Sequence, residues 1–182
     1  LRLVTVNLQR NRPAGPFETL PEVPSFTVTS SDIFDGAVTA TRHVHSSAGG
    51  DNLSPHLTWS GFPAGTKSFA ITCFDPDAPT QSGWWHWQIV NIPADVTSLP
   101  RGASPDGLPA GTIEFRTDYG MPGYQGASPP PGDHEHRYYF AVHALGVDNL
   151  DLTPETPSAV VGFQIMANTI ARAVITPTFS ID

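Results

Sequence analysis

Asp75-Pro76-Asp77-Ala78-Pro79, followed after Thr80-Gln81-Ser82 by Gly83-Trp84-Trp85-His86-Trp87, is the stretch on which the reading of this chain turns. Before it, Ser68 to Phe74 puts Phe69, Ile71 and Cys73 on one face and Ala70, Thr72 and Phe74 on the other. Such a strand is covered on both sides and is central to its sheet. After it, a period of two sets Trp85, Trp87 and Ile89 opposite His86, Gln88 and Val90, until Asn91-Ile92-Pro93 ends the strand. Two carboxylates between prolines and a histidine among tryptophans exceed what a connection between buried strands needs. The stretch reads as one wall of a pocket.

Outward from this pair, Phe26 to Ser30 alternates as a half-buried first strand, and Thr39 to His45 reads as a second. Leu57-Thr58-Trp59 and Thr112 to Arg116 are short strands, and the nearly continuous apolar run Tyr138 to Leu145 is another central one. Gly120 to His136 is longer than a connection requires and is therefore a functional suspect. Thr156 before Pro157 gives a helix start. Val160, Phe163, Ala167, Ile170, Ala171 and Val174 then recur at three- and four-residue spacing, predicting one amphipathic helix on the sheet, stopped by Pro177. Residues 1–24, with Arg2, Arg10, Arg12 and four prolines, read as an arm lying on the domain or on a partner subunit, with a frayed terminus as the other reading. Residues 25–182 read as a single domain.

Composition agrees with a mainly β chain. Charged residues are 14% of the 182, against about a quarter in ordinary domains, and 19 Pro and 16 Gly supply tight connections between short strands. A net charge of -8 argues against nucleic acid or an anionic membrane surface as partner, because such binding neutralises phosphates with Lys and Arg. The single cysteine, Cys73, leaves no internal disulfide and no multi-cysteine zinc site, and its apolar run makes it a core residue. No run is long and apolar enough for a membrane span, and residues 1–8 do not form a secretory apolar region. The cytoplasm is the expected location.

Adjacent central strands can bring Asp75, Asp77 and His86 to the loop from Gly123 to Tyr138. His86 and His136 as donors, Asp75 orienting one of them and the Tyr138 ring as a wall would suit a small anion, with stiff prolines lowering the ordering cost. Trp84, Trp85 and Tyr124 fit the aromatic lining of small-ligand pockets. Bland readings stand beside these: Asp77 as a turn former, Trp85 and Trp87 as core, and Arg137 as an ion-pair partner tying loops together.

Taken together, Asp75 to Pro79, Gly83 to Trp87, Asn91-Ile92-Pro93, Gly123-Tyr124, Pro129-Pro130-Pro131-Gly132 and His136-Arg137-Tyr138 resemble the phosphatidylethanolamine-binding protein family, in its bacterial and archaeal branch. Ser54 to Trp59 and Pro63 to Phe69 extend the resemblance over about residues 25 to 175. It implies a central antiparallel β-sheet flanked by a smaller sheet and a C-terminal helix. It also implies a pocket for phosphate or a phospholipid headgroup, built from Asp75, His86, Pro129, Pro130, His136 and Tyr138, with Asp77 shaping the loop. One departure is Gly126-Ala127, where the family usually has Gly-Pro.

The leading expectation is thus a binding module for a small phosphorylated ligand, acting as a regulator of a protein kinase or protease, with no cofactor and no metal. A homodimer closed by the N-terminal arm is a partner expectation. The alternative is an enzyme using the Asp/His pocket for acid–base or metal-assisted chemistry. Against it, there is no Gly-x-Ser-x-Gly elbow, phosphate loop or dinucleotide fingerprint.

Overall fold

A computed structural model of the chain describes residues 8–182; the first part of the arm, with Arg2, lies outside them. Strands β1 (Thr27–Thr29), β2 (Leu57–Ser60), β3 (Ser68–Asp75), β4 (Trp84–Pro93), β5 (Ser98–Leu99), β6 (Ile113–Glu114), β7 (His136–Arg137) and β8 (Tyr139–Leu145) precede helix α1 (Ser158–Asn168). Strands β9 (Thr169–Ile175) and β10 (Thr178–Phe179) close the order. Five strands form the central sheet in the order β6-β4-β3-β8-β9, with β1-β2-β5 and β10-β7 as smaller sheets, all antiparallel. The expected architecture is the one observed.

The central strands are covered on both faces. Phe69, Ile71 and Cys73 of β3 join Trp87, Ile89, Phe140 and Val142 in the core shared with the β1-β2-β5 sheet. Ala70 and Val90 face the other way, against Val161 and Ile165 of α1. Cys73 is buried, as its apolar run suggested, and burial pushes its thiol pKa up.

Three local expectations are corrected. Thr39 to His45 is not a strand: a turn of 3-10 helix spans Thr41–His43, and only isolated bridges at Val38 and Val44 join neighbouring segments. Thr112 to Arg116 shortens to Ile113–Glu114. The C-terminal helix ends at Asn168, and Ile170, Ala171 and Val174 lie in β9, paired with β8. Its buried face is Val161 and Ile165, while Val160 and Phe163 are exposed. The run from Thr169 to Ile175 contains β-branched residues suited to a strand, and its inward Ala171, Ala173 and Ile175 follow a period of two. Small alanines satisfied both periods in the sequence, and the edge of the sheet selected the strand. Pro157 itself sits at the helix N-cap position without a side-chain cap, while Thr156 Oγ1 accepts from Thr153 N at 3.1 Å.

The described part of the arm lies on this body. Arg12 donates to the Glu135 carbonyl at 2.9 Å, Phe17 meets Tyr139 and His143 edge-on, and Arg172 N donates to the Pro24 carbonyl at 2.9 Å.

Candidate functional site

β3 ends and β4 begins at one end of the central strands, and the β4 register is interrupted there. Cys73 pairs with Trp87 and Phe74 with Trp85, so His86 is an extra residue in a β-bulge. The bulge breaks the simple alternation expected for this strand. Trp85 turns to the α1 side, where a Cβ on Gly162 would lie 3.4 Å from its ring, while His86 turns into a cleft of about 250 Å³. Asp75, Trp84, His86, Pro129, Pro130, His136 and Tyr138 all line this cleft, with Tyr119 and Ser128 from the loop.

Of the expected pocket-shaping residues, Trp84 lines the cleft, and three others lie elsewhere. Trp85 is on the opposite face of the sheet. Tyr124 is core: its hydroxyl donates to the His43 carbonyl at 2.7 Å and its ring meets Trp87. Asp77 is buried beneath the loop, accepting from Arg137 Nε and backbone N, both at 2.8 Å, and from Arg137 Nη2 at 3.0 Å. That pair is the loop tie read for Arg137. Burial raises the Asp77 pKa, but the Arg137 hydrogen bonds and charge outweigh it, leaving it below the ordinary value.

His136 is bound on both ring nitrogens. Nδ1 lies 2.7 Å from Asp75 Oδ2 and Nε2 lies 2.9 Å from Asp133 Oδ2. Two carboxylate acceptors ask both nitrogens to donate, so the ring is imidazolium. Burial opposes this, yet the Asp75 and Asp133 bonds and charges raise its pKa above the ordinary value. Arg10 of the arm closes the chain of charges, 2.7 Å from Asp133. The other Asp75 oxygen accepts from Asp77 N at 2.7 Å and Ala78 N at 3.1 Å, which fixes the Asp-Pro-Asp turn. His136 therefore has no ring N–H left to offer an anion, contrary to the donor role expected of it.

His86 differs. Its Nδ1 donates to the Gln125 carbonyl at 2.8 Å, and Gln125 N returns a bond to the His86 carbonyl at 2.9 Å. Burial lowers its pKa despite Asp75 nearby. The neutral ring thus carries its proton on Nδ1 and its lone pair on Nε2, so it offers an anion no free N–H, contrary to the donor role expected of it. Two neutral donors in the cleft lining have no partner among the described residues: the buried Tyr138 hydroxyl and Trp84 Nε1. Burial pushes the Tyr138 pKa well above its ordinary value, keeping it a donor. Tyr119, with its ring 5.7 Å from His86, is pushed up to about 12 by burial and then by the Asp75 charge.

Sequence reasoning missed Asp133 and Tyr119. Asp133 lies within the loop from Gly123 to Tyr138, and its spacing of three from His136 is the signal that could have found it. The loop rim is held at Gly126-Ala127: Ala127 accepts from His45 N at 3.0 Å, and a Cβ on Gly126 would lie 2.3 Å from the His43 carbonyl oxygen. Close approach to the 43–45 segment stiffens the rim where the family pattern would have used proline.

The fold is a five-stranded antiparallel sheet with a polar cleft where β3 turns into β4. Residues 29–180 match the model of the phosphatidylethanolamine-binding protein family, and the chain belongs to that family. UPF0098 protein YbhB of Escherichia coli K12 is 50% identical over 155 residues, covering 83% of this chain and 98% of YbhB. UPF0098 protein YbcL of the same organism is 50% identical over 165 residues, 88% of this chain and 90% of YbcL. The crystal structure of E. coli YbcL, described as a new member of the mammalian PEBP family, superposes with a TM-score of 0.84 at 51% identity, covering 87% of this chain and 99% of that one.

Proposed function

We propose that the cleft binds a small phosphorylated ligand, such as phosphate or a phosphoryl headgroup, and that the protein works as a binding module. The observation that carries this reading is the Tyr138 hydroxyl, buried in the cleft wall without a protein partner. Leaving a buried donor unsatisfied is costly, and a ligand oxygen would satisfy it. Trp84 Nε1 is a second such donor. Asp75, His136, Asp133 and Arg10 neutralise one another in this reading and form the floor. His86 Nε2, as an acceptor, favours a ligand that brings a proton, so a phosphoryl monoanion is preferred to the dianion. Pro129 and Pro130 form a stiff wall.

Calorimetric titration with phosphoethanolamine at pH 6 and pH 8 tests this, with Tyr138→Phe alongside. Saturable binding that is tighter at pH 6 and weakened in the variant supports the proposal, while no binding by folded protein at either pH overturns it. The proposal extends to a phosphorylated segment of a protein kinase, or a protease, as the regulated partner, and to a homodimer. Sedimentation of the purified protein tests the dimer, and a change in activity of a candidate enzyme on adding the protein tests the partner.

A further inference from the structure

On the α1 side of the central sheet lies a second groove of about 400 Å³, sharing no residue with the cleft. Its walls are apolar: Phe17 and Leu20 from the arm, Phe74 and Trp85 from the sheet, Phe163 and Met166 from α1. The volume falls in the range of ordinary small-ligand sites. Arg172, only 9% exposed, stands in this apolar lining.

No carboxylate of the described residues pairs with that guanidinium. Its Nε lies 3.4 Å from His143 Nδ1, and its carbon sits 4.2 Å from the centre of the Phe17 ring. His143 contributes no negative charge: burial drives its pKa down to about 3, and its other nitrogen meets Thr72 Oγ1 at 2.9 Å. Burial lowers the Arg172 pKa as well, with no acidic group opposing it. Buried cations are ordinarily paired, because an unpaired charge in an apolar setting is costly. The terminal nitrogens of Arg172 have no acceptor among the described residues, and its planar fork matches a carboxylate.

We propose that this groove is a second ligand site, taking a small amphipathic carboxylate whose acid group pairs with Arg172 and whose apolar body lies along Trp85, Phe74 and α1. One guanidinium neutralises one negative charge, which selects a monoanion. The remaining lining offers an apolar tail the same contacts that a core would.

Octanoate, octanol and octyltrimethylammonium, each below its aggregation range, would be titrated calorimetrically into the full chain, with and without saturating inorganic phosphate. The expected result is saturable octanoate binding, indifferent to phosphate, with octanol about tenfold or more weaker because it loses the charge-assisted pair. The cationic amphiphile should not bind. Arg172→Met should reduce octanoate to the level of octanol, and Gly162→Leu should block both by filling the space beside Trp85. Equal affinity for octanoate and octanol would overturn the proposal, as would displacement by phosphate, or self-association of the chain through this face with no octanoate binding. The comparison of ligands on unaltered protein decides the matter even if a variant fails to fold.

Discussion

On one side of the central sheet the buried acids meet cations; on the other a buried cation meets no acid among the described residues. Asp75 and Asp133 share His136, and Asp77 faces Arg137, whereas Arg172 meets a neutral histidine and an aromatic face. Charges that cancel among themselves make a rigid floor and leave discrimination to neutral donors such as Tyr138. A charge left uncompensated makes selectivity itself. Two polar features of one sheet thus differ less in residue type than in whether the protein has already spent the interaction.

The largest effect should come from Arg137→Met. It leaves the buried Asp77 carboxylate with only the half-exposed Arg12, 4.0 Å away, and removing one partner of such a pair costs about 3 kcal/mol, read as a lower denaturant midpoint with an unchanged slope. Arg172→Met sharpens the comparison, since it removes a buried charge that has no acidic partner among the described residues. Its cost should stay within about 1 kcal/mol in the same measurement, loss of the Phe17 contact being offset by relief of the buried charge. A cost equal to that of Arg137→Met would show that Arg172 is structurally paired after all.

Tyr138→Phe should leave stability within about 0.5 kcal/mol, because its hydroxyl has no protein partner, while phosphoethanolamine affinity falls about tenfold. A large stability loss without an affinity change would reverse the reading of that hydroxyl.

The smallest effect concerns pH. The folded pKa of His136 is raised above its unfolded value, so its stabilisation is fully present below about pH 6.5 and is lost as pH rises through the folded pKa. The stability difference between the native chain and Asp133→Asn should therefore shrink from pH 6 towards pH 9. His143 runs the opposite way: its lowered pKa gives stability that is present above about pH 6.5 and fades as pH falls towards about 3.

Much of the cleft was legible because its residues come in short, locally patterned runs. Asp75, His86, His136 and Tyr138 were read at strand ends, Pro129 and Pro130 were implied by the family resemblance, and all border the cleft. Their roles were less legible. Whether His136 donates to a ligand depends on Asp133 and Asp75, the latter 61 residues away, and whether Trp85 faces the cleft depends on a bulge in pairing with β3. Arg172 was passed over because β9 was read as the continuation of a helix.

By itself the sequence determined the apolar runs of β3, β4 and β8, the turn at Asp75 to Pro79 and the wall of prolines, because alternation, turn chemistry and stiffness are local properties of the chain. Only the tertiary structure decided that residues 169–175 pair as an edge strand, that one bulge residue puts Trp85 on the face opposite Trp87 and Ile89, and which ring nitrogens remain for a ligand. Those outcomes rest on hydrogen bonds and charges between segments distant along the chain, and their energies exist only once the segments have been brought together.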